Sequence, residues 1–179
     1  MLKPATPGSV QHAPVPPTDA RLHELAVSVG QLLQSHGQTL VSAESCTGGW
    51  IGKTVTDIAG SSAWFDCGIT AYSYEAKQGL LGVRPETLIK YGAVSEETVL
   101  EMVSGALIHS GASVAVAVTG IAGPSGSTPD KPLGTVWIAW KRRGGYPQMQ
   151  QYRFDGDREA VRRRTVAAAL EGLQKILTS

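Results

Sequence analysis

The sequence predicts an α/β protein: a mixed β-sheet covered by helices on both faces. Three observations carry this. Segments with helical spacing alternate with short β-branched runs along most of the chain. One run, Ser113–Val118, is apolar almost without interruption between Gly111 and Gly120, the pattern of a central strand buried on both faces. Late in the chain, two strand-like segments flank Gly144-Gly145, which reads as an antiparallel hairpin.

Taken in order, Met1–Thr18 holds Pro4, Pro7, Pro14, Pro16 and Pro17 among small and polar neighbours, and is expected to be a flexible tail. One domain is expected over residues 19–179, a length that supports a single core. From Ala20 to Ser35, the positions Leu22, Leu25, Ala26, Val29, Leu32 and Leu33 recur at helical spacing, and Gly37 is a stop signal. Thr39–Ala43 reads as a strand. Cys46–Ile58 reads as a helix opening at the turn Thr47-Gly48-Gly49. Cys67–Tyr74 has the aromatic and β-branched content of a strand, and helical stretches follow at Glu75–Leu81 and Pro85–Tyr91. Ser95 caps a further helix with Val99, Met102, Val103, Ala106 and Leu107 on its inner face. After the central strand come strands at Gly134–Lys141 and Gln148–Phe154, and then a long helix over Asp157–Leu177.

Charge and composition narrow the function. Lys and Arg total 16 against 15 Asp and Glu, so no global field draws the protein to nucleic acid or to a membrane surface. No apolar run is long enough to span a bilayer, and the N-terminus lacks a signal-peptide pattern. Two cysteines, Cys46 and Cys67, build neither a disulfide framework nor a zinc set, and a reduced pair in the cytoplasm is expected.

In open α/β sheets, sites form beyond the carboxyl ends of strands. Glu44–Gly49, Tyr72–Lys77 and Thr119–Gly126 fall at such ends. In the first, Ser45 sits between a strand and a helix start, where free backbone N–H groups can hold the oxyanion of an acyl-transfer intermediate. A plain helix cap is the commoner use of such a serine. Neither Gly-x-Ser-x-Gly nor Ser-x-x-Lys fits around Ser45, and Thr47–Thr54 misses a phosphate-binding loop at its first glycine. No histidine lies at a strand end to serve as base. Lys77 is better placed, because a poorly solvated amine loses its charge near neutral pH. Tyr72 near the same end offers a hydroxyl to orient that amine. By spacing alone, a solvated Lys77 and a core Tyr72 remain the simpler reading. Gly120, Gly123 and Gly126 permit close backbone approach to a ligand beside Thr119. Arginines 158 and 162–164 cluster at the start of the last helix, against its macrodipole. Some of them suit an anionic ligand, while Arg163 or Arg164 reads as a basic face paired with carboxylates.

Together, Ala43-Glu44-Ser45-Cys46-Thr47-Gly48-Gly49, Tyr72-Ser73-Tyr74-Glu75-Ala76-Lys77, Tyr91-Gly92-Ala93-Val94-Ser95, Thr119-Gly120-Ile121-Ala122-Gly123-Pro124 and Gly156-Asp157-Arg158 resemble the C-terminal domain family of the competence-damage-inducible protein CinA. That family includes stand-alone nicotinamide-nucleotide amidases of the PncC type, and the resemblance spans about residues 20–177. It implies a three-layer α/β/α sandwich around a mixed sheet. It also implies deamidation of nicotinamide mononucleotide to nicotinate mononucleotide and ammonia, within pyridine-nucleotide recycling. The implied catalytic residues are a Ser45 nucleophile, Lys77 as its base, and Tyr72. Thr47, Gly48, Thr119, Gly120 and Gly123 are implied to line the substrate, with Arg162 chosen for its phosphate. No metal or cofactor is implied, the partner is a small-molecule nucleotide, and a homodimer or larger homo-oligomer is expected. Two departures stand out: Tyr74 where the family usually has asparagine, and Gly126-Ser127 where a Gly-Gly pair is common. They leave open a catalytically weak nucleotide-binding or regulatory module, or an amidase for another small amide.

Overall fold

A computed structural model describes residues 15–179. Most of the expected N-terminal tail, residues 1–14, lies outside the described residues. Of the remainder, Thr18 caps the first helix, α1 (Asp19–Ser35), by accepting from the Arg21 N–H. The chain continues through β1 (Leu40–Glu44), α2 (Trp50–Thr56), a short 3-10 turn at Ser61–Ala63, β2 (Phe65–Thr70), α3 (Tyr74–Leu81), α4 (Pro85–Tyr91), α5 (Glu96–Ile108), β3 (Val114–Gly120), β4 (Thr135–Arg142), β5 (Gln148–Arg153) and α6 (Arg158–Thr178).

The sheet runs in the order β2-β1-β3-β4-β5. β1 is parallel to both neighbours, whereas β3–β4 and β4–β5 are antiparallel, so the sheet is mixed as expected. Side-chain alternation sorts it into two cores. One face presents Leu40, Val114, Val116, Val118, Val136, Ile138 and Trp140 to α1, α2 and α6. The other presents Val41, Ala43, Ala115, Ala117 and Ala139 to α3, α4 and α5. This second face is lined largely by alanine, which lets its helices sit close. Helix–helix approach there is equally tight: a Cβ on Gly105 of α5 would lie 1.8 Å from the Leu81 carbonyl oxygen.

One boundary moved in a way that matters for the site. Instead of running to Tyr74, β2 stops at Thr70, which pairs with Glu44 at the end of β1. Ser73 takes over as the cap of α3, accepting from the Ala76 N–H at 3.0 Å, and Glu75 supplies an acidic first turn. Capping chemistry thus outweighs the strand propensity of Tyr72 and Tyr74. Likewise α2 begins at Trp50, because Gly48 and Gly49 adopt left-handed φ values of 63° and 92° that a helix interior excludes.

Gly105→Ala is expected to lower stability by about 1–3 kcal/mol, since the clash is with backbone and no side chain can swing aside. The shift in denaturant midpoint measures it.

Candidate active site

The site begins with the alternation of β1. Ser42 and Glu44 point toward α2, and Val41 and Ala43 toward the α3–α5 layer. Ser45 prolongs the ladder by one bond, its N–H donating to the Val118 carbonyl at 3.1 Å, and its side chain meets α3. There Lys77 Nζ lies 2.9 Å from Ser45 Oγ. The amine also donates to the Ala71 carbonyl at 2.8 Å, and Lys77 is only 1 % exposed. Burial pulls its pKa below the ordinary lysine value, opposed only weakly by the neighbouring Cys46. No carboxylate forms an ion pair with it among the described residues. The arrangement holds a primary amine in a dry position, with a carbonyl to fix its orientation and a serine hydroxyl in reach.

Glu44, one residue earlier, faces the opposite way and is equally buried. One carboxylate oxygen accepts from Ser42 Oγ at 3.2 Å and the Gly52 N–H at 2.8 Å. The other accepts from Thr47 Oγ1 at 2.7 Å and the Ile51 N–H at 2.9 Å. Helix α2 has no side-chain cap of its own at Gly49, and this carboxylate satisfies its first amides. Hence the near-match to a phosphate loop at Thr47–Thr54 binds no phosphate in the expected manner: an internal anion already occupies the helix N-terminus.

The remaining expected residues fall into distinct places. Thr119 is buried at the end of β3 and donates its hydroxyl to the Ala93 carbonyl at 2.7 Å. Tyr74 reaches the same residue, its hydroxyl accepting from the Ala93 N–H at 3.3 Å. The departure from asparagine therefore braces the 91–93 segment and makes no hydrogen bond to the Ser45–Lys77 pair. Tyr72 is 59 % exposed and accepts from the Arg158 guanidinium at 2.9 Å, not from Lys77. Arg158 also donates to the Gly123 carbonyl at 2.8 Å, so it bridges the two loops across the end of the sheet.

Three of the expected substrate residues have partners within the protein. Thr47 turns its hydroxyl inward onto Glu44 and is fully buried, so its side chain is committed to that carboxylate. Gly120 is small for a packing reason: a Cβ there would sit 2.6 Å from Val136 Cγ2, on the neighbouring strand. Arg162 braces the serine turn from α6, donating to the Thr47 carbonyl at 2.7 Å and stacking on Trp50 at 5.1 Å. Gly48 lies under that guanidinium, 3.4 Å from where its Cβ would be. Arg163 pairs with Asp19 and Glu159, as expected of a basic face. Cys46 is no rival nucleophile, because burial and the Glu44 charge push its thiol up to about 12.

Sequence reasoning gave no role to Glu44, did not single out Arg158 within its arginine cluster, and did not find the Ala71 carbonyl. A carboxylate closing a five-residue strand whose other members are apolar or serine was the available signal for the first. Nothing local separates Arg158 from its neighbours.

A three-layer α/β protein with a dry serine–lysine contact at the carboxyl end of its parallel strands defines the class. The profile of the CinA C-terminal domain matches residues 22–177, and the chain belongs to that family. It is 52% identical over 156 residues to the nicotinamide-nucleotide amidohydrolase PncC of Escherichia coli (strain K12), covering 87% of this chain and 94% of that one. The protein of the same name from Pseudomonas putida is 51% identical over 155 residues, covering 86% of this chain and 96% of the relative. Among solved structures, the competence/damage inducible protein CihA from Agrobacterium tumefaciens superposes with a TM-score of 0.86 at 43% identity, covering 93% of this chain and all of the other. The competence damage-inducible protein A from Klebsiella pneumoniae gives 0.85, also at 43% identity, over 88% of this chain and 97% of that structure.

The lowered pKa of Lys77 has a stability consequence with a definite sign. Between its folded value and that of an unfolded lysine, the unfolded chain binds more protons, so stability rises with pH in that window. The stability difference between wild type and Lys77→Met is therefore expected to move in favour of wild type as pH rises through the alkaline range toward the ordinary lysine value of about 10. Paired denaturant titrations across that range would show it, and a flat difference would mean an unperturbed amine.

Proposed function

We propose that the chain is a nicotinamide-nucleotide amidohydrolase that converts nicotinamide mononucleotide to nicotinate mononucleotide and ammonia. The observation that carries the reading is the buried 2.9 Å approach of Lys77 Nζ to Ser45 Oγ. Relatives of that name, similar along almost their whole length, support the substrate.

In this reading neutral Lys77, held by the Ala71 carbonyl, takes the proton of Ser45 as Oγ attacks the carboxamide carbon. The N–H groups of Cys46 and Thr47 donate to no backbone carbonyl among the described residues, and in this reading they stabilise the oxyanion. The Gly48 N–H is unsuited to that role, because it donates to the Ser45 carbonyl at 3.0 Å. Collapse of the intermediate breaks the C–N bond, and Lys77 passes its proton to the leaving ammonia. Water then attacks the acyl-enzyme with Lys77 again as base, which frees the carboxylate product and restores Ser45. The cationic pyridinium ring draws electrons from the carboxamide and assists the attack.

For the substrate phosphate we favour Arg158 over Arg162. Arg162 is committed to the Thr47 carbonyl and Trp50, whereas Arg158 stands at the rim between Tyr72 and Gly123 with no carboxylate ion pair among the described residues.

Ser45→Ala and Lys77→Ala are each expected to lower ammonia release from nicotinamide mononucleotide by about a hundredfold or more. Wild type that binds the nucleotide, seen as thermal stabilisation, yet releases no ammonia would replace this reading with a binding module. Arg158→Ala is expected to raise KM for the nucleotide by roughly tenfold or more, the scale of a lost charge-assisted contact. The same variant should barely change KM for nicotinamide riboside, which lacks the phosphate; equal effects on both would remove Arg158 from phosphate recognition.

A further inference from the structure

Glu44 takes no part in the proton path just described, yet it is the most completely hydrogen-bonded acid of the site. Burying a carboxylate costs several kcal/mol unless its oxygens are met, and here four donors meet them. Helix capping alone does not account for it. A cap usually comes from a Ser, Thr, Asp or Asn at the N-cap position itself. That position is Gly49 at φ 92°, where a side chain is strained, so the cap must arrive from elsewhere. The four donors also come from three separate pieces: Ser42 on β1, Thr47 in the turn, and Ile51 and Gly52 on α2. The arc they enclose is Ser45-Cys46-Thr47.

Glu44 is not a second base. Each of its oxygens already accepts two hydrogen bonds, and Ser45 Oγ meets Lys77 on the other side of the strand. We propose that Glu44 is the positioning residue of this site: its carboxylate ties β1, the turn and the start of α2 into one unit that fixes the Ser45 hydroxyl toward Lys77 and orients the Cys46 and Thr47 N–H groups left free in the turn. The proposal rests on Ser45 being the nucleophile.

Glu44→Gln tests it, since the amide keeps the shape but turns an NH2 toward two of the four donors. The readout is the rate at which a fluorophosphonate probe labels Ser45 in the full chain, where an Oγ–P bond forms, fluoride leaves and the serine proton passes to Lys77. This requires neither turnover nor the nucleotide. Wild type should be labelled at Ser45 and Ser45→Ala should not; an unlabelled wild type would overturn the nucleophile reading and this proposal with it. With wild type labelled, Glu44→Gln is expected to react about a hundredfold more slowly, while the acid limb of its pH–rate profile stays in place. Gly30→Ala, whose Cβ would meet Trp64 beside the start of β1 and away from Ser45 and α3, is expected to lose stability yet react at the wild-type rate. Three results would overturn the positioning role alone: a Glu44→Gln rate within about threefold of wild type, a loss fully explained by a shifted acid limb, or an equal loss in Gly30→Ala. If Glu44→Gln does not fold, Thr47→Val carries the test. It removes one donor and should slow labelling about tenfold, and unchanged labelling would sink the idea.

Discussion

A lysine amine kept from water is the constraint around which the rest of this protein is arranged. An isolated ammonium is expensive in such a place, and the surroundings do not relieve the expense with an anion. They offer a carbonyl and a serine hydroxyl instead, partners that suit an uncharged amine. The location follows from α3, capped by Ser73 and entered directly after β2, so that Lys77 stands in its first turn facing the end of β1. Had the strand run on to Tyr74, the helix and its lysine would begin too late to reach Ser45.

The same constraint explains why the sheet keeps the Glu44 carboxylate on the face away from Lys77. Glu44 and Ser45 are adjacent in sequence and serve opposite layers, because successive side chains of an extended segment leave by opposite faces. A carboxylate on the lysine side would hold the amine protonated. On the α2 side it meets backbone donors and a turn that needs fixing. A one-residue slip of β1 would exchange the two and ruin both, which is the general penalty for misregister in a buried strand. The pairing of β1 with β2 and β3 on its two sides guards against it.

Most of the architecture was legible in the sequence, because it depends on periodicity and on Gly and Ser punctuation. The uninterrupted run at Ser113–Val118 marked the central strand, Gly144-Gly145 the hairpin, and Ser95 the cap of α5. The segment Tyr72-Ser73-Tyr74 misled, since two aromatics flanking a serine serve a strand or a capped helix start equally well until the pairing with Glu44 runs out. The site was legible only in part. Ser45 and Lys77 are 32 residues apart, and their contact is a product of packing that no local spacing encodes; it was family resemblance that brought them together. Thr47 and Gly120 were placed at the substrate because hydroxyls and glycines at strand ends often serve ligands. Here one serves Glu44 and the other a neighbouring strand. Four arginines within the first two turns of one helix differ by direction alone, which only the docking of α6 fixes.

The tie between Arg162 and the Thr47 carbonyl reaches across 115 positions of sequence. The turn around Ser45 is laid down early in synthesis, whereas its brace arrives only with α6. A nascent chain that holds β1 and β2 still lacks the guanidinium that supports the turn. The order of translation thus acts as a timer, leaving the Ser45 turn unbraced until α6 has been made and docked.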